Sequence, residues 1–168
     1  MWWQRRSLSI YWYILMFLFS VIDALSRARA PYALVGGYAV ALHGAIRGTI
    51  DIDLVIRFTE RDFKAAERAL RTISLEPRLP VTASEVFHYR EEYVRNRNLI
   101  AWSFVNSDRP SEIVDVILTH DLAKMKVKRL RIQGRMIRLA SIEDLIKMKS
   151  ESARAQDVED VRALRRLL

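Results

Sequence analysis

The most informative part of the chain is residues 32–54, which read YALVGGYAVALHGAIRGTIDIDL. The apolar run at its start is typical of a short strand, which Gly36-Gly37 ends. Residues 38–43 are compatible with a short helix, and residues 52–56 form a second apolar run that predicts another strand. The stretch therefore predicts a compact strand–helix–strand unit.

Two acidic residues, Asp51 and Asp53, stand at the start of the second predicted strand. Residues i and i+2 of a strand point to the same face, so these two carboxylates project together. Carboxylates this close resist joint ionisation, and a divalent cation relieves their repulsion. Mg²⁺ suits such a site because it prefers oxygen ligands, keeps several waters and binds substrate phosphates as well.

The Gly36-Gly37 pair indicates a place where the backbone can approach a ligand closely, because glycine has no β-carbon. The helix that it opens would offer free N–H groups, which favour an anion. The stretch thus predicts a phosphate next to a metal ion. An ordinary turn followed by solvated carboxylates is the alternative interpretation.

The motifs of this stretch, taken in order, resemble those of the nucleotidyltransferase superfamily (DNA polymerase β-like). Gly36-Gly37 is followed by Gly-x-x-Arg-x-Thr over residues 44–49 and then by Asp-x-Asp over residues 51–53. The form of this motif with Gly-x-x-Arg-x-Thr before the acidic pair is similar to the AbiEii-type group, the toxin side of type IV toxin–antitoxin pairs, and to related uncharacterised small proteins.

The resemblance implies transfer of an NMP from an NTP to an acceptor hydroxyl, with Asp51 and Asp53 holding two Mg²⁺ ions. It also implies a set of nucleotide-binding residues, namely Gly36, Gly37, Tyr38, Arg47 and Thr49.

A third carboxylate, Asp115, lies within the apolar run 113–118, which predicts a strand. A buried charge must be paired or bound to a metal, so its position is informative. In the resembled superfamily a third carboxylate comes from such a strand, which implies that Asp115 binds metal and deprotonates the attacking hydroxyl. The alternative is a strand-edge residue that faces solvent.

The C-terminal region resembles a motif of the AbiEii-type group in which Lys is followed by Arg and then by two Asp. Here these residues are Lys149, Arg154, Asp157 and Asp160. The resemblance implies that Lys149 and Arg154 place positive charge on the triphosphate, and that Asp157 or Asp160 orients them or assists catalysis. Without the resemblance, the segment is a polar helix with short-range ion pairs.

Residues 124–138 carry seven Lys and Arg side chains and no acidic one, with Gln133-Gly134 as the predicted turn of a β-hairpin. A basic stripe of this kind binds the phosphate backbone of a nucleic acid without reading its sequence. The sequence therefore predicts an RNA acceptor, and the resemblance favours tRNA. A solvated hairpin face explains the charges equally well.

Residues 1–30 contain an apolar run from Ile10 to Ile22 behind Arg5-Arg6, a pattern that imitates a secretory signal peptide. A membrane anchor is disfavoured because the run is shorter than a span requires. Apolar residues recur at helical spacing, so we predict a first helix that packs on the core. That helix is apolar nearly all round, which also allows contact with a second subunit.

The rest of the chain completes the prediction of an α/β (α+β) fold, a small mixed sheet with flanking helices and a short helical C-terminus. A helix follows Thr59, Pro77 and Pro80 indicate a loop, and residues 82–95 are compatible with a strand or a helix. We expect residues 1–30 to form the N-terminal helix, 31–140 the nucleotidyltransferase-like core, and 141–168 helices that complete the site.

Composition narrows the class of protein. The chain has 168 residues, 51% of them hydrophobic and 29% charged, which is globular rather than disordered. It has no Cys, which suits a cytoplasmic protein, and its net charge of +8 favours a polyanionic partner. We predict a Mg²⁺-dependent nucleotidyltransferase, with a cognate antitoxin as a further partner. A non-catalytic nucleotide-binding protein and a membrane-anchored protein are the alternatives.

Overall fold

The structure is a computed structural model that describes residues 2–45, 49–152 and 154–168. Its helices, in chain order, are α1 (Trp2–Arg27), α2 (Gly36–Leu42), α3 (Glu60–Arg71), α4 (Ala83–Arg97), α5 (Ile142–Ser152) and α6 (Ala155–Arg165), with a 3₁₀ turn over Leu122–Lys124. Its strands are β1 (Tyr32–Leu34), β2 (Ile52–Ile56), β3 (Leu75–Pro77), β4 (Ala101–Asn106), β5 (Ile113–Ile117), β6 (Val127–Ile132) and β7 (Arg135–Ala140).

The strands form one mixed sheet in the order β3-β4-β5-β2-β1-β7-β6. β2 pairs in parallel with β5 and antiparallel with β1, and β7 runs parallel to β1. The hairpin β6–β7 turns at Gln133 and Gly134, which both have positive φ. The predicted α/β fold with a small mixed sheet is therefore confirmed.

The two faces of the sheet differ in burial along β4 and β5. One face, here the inner face, is fully buried and consists of Trp102, Phe104, Val114 and Val116 with Ile52 and Leu54 of β2. The opposite face, here the outer face, is half-buried and consists of Ala101, Ser103, Val105, Ile113, Asp115 and Ile117 with Asp53 of β2. Strand alternation thus places Asp53, Ser103 and Asp115 on the face opposite the fully buried apolar residues.

The inner face is covered by α1 and α3. Phe63 of α3 stacks on Trp102, with ring centroids 6.2 Å apart. Leu18, Ile22 and Leu25 of α1 are part of the buried core. The helix predicted within residues 1–30 is thus present as α1 and packs against the core, whereas Trp12 and Met16 stay exposed. Contact of this face with a second subunit remains a prediction.

Two segments, α4 and β3, were not predicted from the sequence with a definite secondary structure. Residues 82–95 fall in α4, a helix that begins with a capping box of Thr82 and Glu85. Pro77 indicates only a loop, yet it ends β3, an edge strand that pairs with β4. An edge strand tolerates proline because one of its sides needs no hydrogen-bond donor.

Within the residues that the structure describes, no helix has both the length and the apolar character needed to cross a membrane.

Candidate active site

The turn between β1 and α2 is built around a glycine that no other residue replaces without strain. Gly36 has a φ of +61°, and a β-carbon added to it would lie 1.8 Å from Asp53 Oδ2. The backbone N–H of Val35 donates to the carbonyl of Asp53 at 3.0 Å. A β-carbon on Gly37 would lie 2.7 Å from the Thr49 side chain. The turn therefore lies directly against the Asp53 carboxylate.

Asp53 and Asp115 face each other across neighbouring strands. They are register partners in the parallel pair β2–β5, and Ser103 of β4 is the next partner in the same row. Asp51 stands just before β2 and is exposed, two residues from Asp53. The predicted third carboxylate thus lies beside the Asp-x-Asp pair, on the same face of the sheet.

Among the residues that the structure describes, the strand carboxylates form no ion pair with a cationic side chain. Burial raises the pKa of Asp53 to about 6, with further increases from the Asp115 and Asp51 charges and smaller opposition from Lys149 and Arg154. Burial and the Asp115 charge also raise the pKa of Asp51. Asp115 Oδ1 is buried without a hydrogen-bond partner in the part of the chain that the structure describes. Such an oxygen is costly unless a ligand or a metal ion completes its surroundings.

The C-terminal residues of the predicted motif form a cluster of ion pairs. Lys149 Nζ lies 2.8 Å from Asp157 Oδ1 and 2.7 Å from Asp160 Oδ2, and all three side chains are buried. Arg154 Nε donates to Asp157 Oδ2 at 2.8 Å, and Ser152 Oγ donates to the same oxygen. Although burial disfavours its charge, these hydrogen bonds hold the pKa of Asp157 below its usual range.

Asp53 and the C-terminal cluster line one cleft of about 120 Å³. Its lining comes from the β1–α2 turn, β2, β5, α5 and the start of α6, namely Val35, Gly36, Asp53, Ile117, Leu145, Met148, Lys149, Ser152, Arg154 and Asp157. Residues that are more than one hundred positions apart in the sequence thus share one site. The cleft combines the Asp53 carboxylate on one wall with Arg154, whose side chain is mostly exposed, on the other.

The other predicted nucleotide-binding residues have different outcomes. Tyr38 is buried, its hydroxyl has no partner among the described residues, and burial together with the Asp51 charge raises its pKa. Thr49 lies against Gly37, where its side chain limits the space around the turn. Arg47 lies outside the described residues.

The metal-binding prediction rests on the carboxylates of Asp51, Asp53 and Asp115. Across residues 2–45, 49–152 and 154–168, no three His, Cys, Asp or Glu side chains are arranged as a group that could hold a metal ion by themselves. The protein part of the site is instead the adjacent pair Asp53–Asp115 with Asp51 at its edge. This donor set fits an ion that takes part of its coordination from substrate phosphates, as Mg²⁺ does.

Two residues near the site were not predicted. Ser152 binds Asp157, and its position between Lys149 and Arg154 in the sequence was the available signal. The backbone N–H of Arg78 donates to the carbonyl of Ser103 at 2.8 Å. The positive charge of Arg78 lowers the pKa of Asp51 and so partly opposes the increase caused by burial. Its role depends on the pairing of β3 with β4, which the local sequence does not reveal.

Solved structures with a similar fold include two antibiotic-modifying proteins. The solution structure of the antibiotic-resistance factor ANT(2'')-Ia has a TM-score of 0.60 at 15% identity, over 89% of this chain and 80% of that one. The lincomycin-bound lincosamide antibiotic adenylyltransferase LnuA also gives 0.60 at 15% identity, over 91% and 97%. An antigenic nucleotidyltransferase-like protein from Paracoccidioides brasiliensis gives 0.55 at 19% identity, over 88% and 74%.

At these identities the similarity establishes the fold. No curated protein sequence matches the chain. The sequence profile of the family described as nucleotidyltransferase of unknown function (DUF6036) matches residues 14–165, nearly the whole chain. The predicted superfamily is therefore confirmed, and the chain belongs to this nucleotidyltransferase family.

Proposed function

We propose that this nucleotidyltransferase uses Mg²⁺ to transfer an NMP from an NTP to a hydroxyl group of RNA, with a tRNA-like molecule as the acceptor. The observation that carries the proposal is that Asp53, the register partner of Asp115, lines a cleft that Lys149 and Arg154 also line. Carboxylates that form no ion pair with a described residue, and cationic side chains on the opposite wall, suit a metal-bound triphosphate.

Asp51, Asp53 and Asp115 are the proposed ligands of Mg²⁺, with two ions expected from the superfamily resemblance. The fit is supported by Asp115 Oδ1, which is buried without a hydrogen-bond partner among the described residues, and by the pKa of Asp53, which burial and the neighbouring carboxylates raise. When bound, the metal stabilises negative charge on the reacting phosphate and on the attacking and leaving oxygens.

The triphosphate is bound by the C-terminal cluster and the glycine turn. Lys149 uses two of its three donors on Asp157 and Asp160, which leaves one for a phosphate oxygen. Arg154 binds Asp157 through Nε, and its mostly exposed terminal nitrogens can reach a second phosphate. Asp157 acts through these two cations as a positioning residue. Gly36 and Gly37 allow the backbone to approach the phosphates, and Tyr38, Thr49 and Arg47 complete the proposed nucleotide contacts.

The chemical step requires a base for the acceptor hydroxyl, and Asp115 is the proposed one. Its buried Oδ1 takes the hydroxyl proton while the acceptor oxygen forms a bond to the α-phosphorus. The bond from that phosphorus to the bridging oxygen breaks at the same time, and pyrophosphate leaves with the electron pair. Atoms and charge balance without a further reactant.

The choice of RNA is supported by the β6–β7 hairpin. Arg129 and Arg138 are register partners, and alternation places them with Arg131 on the sheet face that carries Asp53. None of the three has an ion-pair partner in the described part of the chain, whereas Arg135 points the other way and binds Asp23. Unpaired arginines on the face of the site suit a phosphate backbone.

The experiment incubates the purified protein with Mg²⁺, each α-³²P-labelled NTP in turn, and total RNA from the source cell. We expect label in one RNA band with one NTP, and loss of that label with Asp53→Asn. Glu92→Gln, which neutralises an exposed carboxylate on α4, is the matched control and keeps full activity. A parallel set with an aminoglycoside and a lincosamide tests small-molecule acceptors.

Label that survives Asp53→Asn contradicts the catalytic assignment. Label that enters only an antibiotic contradicts the RNA acceptor and retains the transfer chemistry.

The similarity to AbiEii-type proteins supports a further proposal, that the protein is the toxin of a toxin–antitoxin pair with a cognate antitoxin as partner. Expression in a bacterial host is then expected to stop growth, and Asp53→Asn is expected to relieve the arrest. Unimpaired growth at an expression level that labels RNA in extracts contradicts the toxin role.

A further inference from the structure

A straight row of side chains crosses the outer face of the sheet. Asp53 of β2 opposes Asp115 of β5, Asp115 opposes Ser103 of β4, and the backbone N–H of Arg78 donates to the carbonyl of Ser103 at 2.8 Å. Strands lie roughly 4.8 Å apart, so the α-carbons of Asp53 and Arg78 are separated by about 14 Å. An arginine side chain spans about half of that distance.

Arg78 is the cationic end of this row. Its backbone is fixed by the bond to Ser103 and by Pro77 and Pro80 on either side, while its side chain is exposed. No carboxylate lies within ion-pair distance of its guanidinium in residues 2–45, 49–152 and 154–168. Arg78 follows Pro77 in the register of β3 and lies opposite Ser103, so alternation places its side chain on the outer face with Ser103 and Asp115.

The row and the cleft lie on different sides of the strand carboxylates. The cleft that contains Lys149 and Arg154 is lined by the β1–α2 turn, β2, α5 and one residue of β5, and neither Ser103 nor Arg78 lines it. In phosphoryl-type transfer, the attacking and leaving oxygens are roughly in line on opposite sides of the phosphorus. If the cleft binds the departing pyrophosphate, the acceptor approaches from the side of β5 and β4.

We propose that the row Asp115–Ser103–Arg78 is the acceptor site, and that Arg78 binds a phosphate next to the attacking hydroxyl. The proposal rests on the transferase function above and specifies the acceptor class. A guanidinium in this position binds phosphate through two parallel hydrogen bonds and repels a cationic acceptor. The half-buried, small side chains of Ala101 and Ser103 leave space for a strand of nucleic acid on the sheet.

The location is tested by cross-linking, which needs no turnover. The probe is a short single-stranded RNA with 4-thiouridine as its 3′-terminal nucleotide, irradiated with the full-length protein, and the attached peptide is identified by mass spectrometry. We expect attachment within residues 78 or 101–106. Arg78→Ala should lower the yield about tenfold, the loss expected for one charge-assisted contact, and Arg78→Lys should restore part of it. Arg68→Ala, on the exposed side of α3, is the matched control and leaves the yield unchanged.

Kinetics separate this inference from the proposed function. Arg78→Ala should raise KM for RNA about tenfold and leave KM for the NTP within about twofold, since Arg78 is far from the triphosphate cleft. RNA labelling with an unchanged KM for RNA in Arg78→Ala overturns the acceptor site and leaves the transferase function intact. Cross-linking at the row without any RNA labelling overturns the function and supports the site. RNA that neither cross-links nor accepts label contradicts both.

Discussion

The two walls of the cleft contain carboxylates in opposite electrostatic states. On the strand wall, Asp53 and Asp115 face each other and form no ion pair with a described residue, and the pKa of Asp53 rises to about 6. On the helical wall, Asp157 is buried but accepts hydrogen bonds from Lys149, Ser152 and Arg154, and its pKa falls. Among the described residues, the first group thus has no cationic partner in contact with it, whereas the second is paired within the protein.

This difference suggests that the two walls have different roles, one in activity and the other in stability. A group that remains unsatisfied in the free protein costs stability and is suited to binding and chemistry. A group that is fully paired stabilises the fold and orients its cations for the substrate. The variants below test whether the strand wall determines activity and the helical wall determines stability.

The largest expected effect is the loss of turnover in Asp53→Asn. Removing a charged group that stabilises the transition state should lower kcat by about 10³-fold or more. The change is read from the rate of NMP transfer at saturating NTP, with a thermal unfolding curve to show that the variant is folded. Asp53→Asn with more than a tenth of the wild-type rate would contradict a central role for the strand wall.

On the helical wall, Lys149→Met should destabilise the protein by roughly 3 kcal/mol, because it leaves Asp157 and Asp160 buried beside each other without their shared cation. Urea unfolding followed by circular dichroism measures the loss. Lys147→Met, two residues away on an exposed part of α5, is the matched control and should change stability by less than about 0.5 kcal/mol. A stable Lys149→Met protein would show that the ion-pair cluster does not support the fold.

Removing a charge from the strand wall should increase stability, which is the opposite of the effect of Lys149→Met. The folded-state pKa of Asp53 is above its unfolded value of 3.8, so its contribution is fully present at low pH and is lost as the pH rises through about 6. Asp53→Asn, which removes that titration, should therefore stabilise the metal-free protein at about pH 8 by about 2 kcal/mol and have little effect at about pH 4. Urea unfolding in EDTA at both pH values measures this difference. An Asp53→Asn variant that is less stable than wild type at the higher pH would contradict an unsatisfied carboxylate.

The two walls also differ in how much of each could be predicted from the sequence. Asp51, Asp53 and Asp115 could be predicted because strand alternation and a charge inside an apolar run are local signals. The residues of the Lys149–Asp157 cluster were predicted from a sequence motif, although their contacts depend on the folded positions of α5 and α6. Arg78 could not be found, since β3 is only three residues long and its place depends on pairing with β4. Local signals identify the residues of each wall, but the tertiary contacts determine which of them meet.

The smallest expected effect concerns Arg154, which belongs to the helical wall but is mostly exposed. An exposed ion pair contributes little to stability, so Arg154→Gln should change the free energy of unfolding by less than about 1 kcal/mol. Its proposed contact with the triphosphate predicts a rise of about tenfold in KM for the NTP, with KM for the acceptor unchanged. The measurement is a KM series for each substrate, with the exposed Arg95→Gln on α4 as control. A stability loss as large as that of Lys149→Met, with an unchanged KM for the NTP, would assign Arg154 to the fold and leave Lys149 as the cation that serves the substrate.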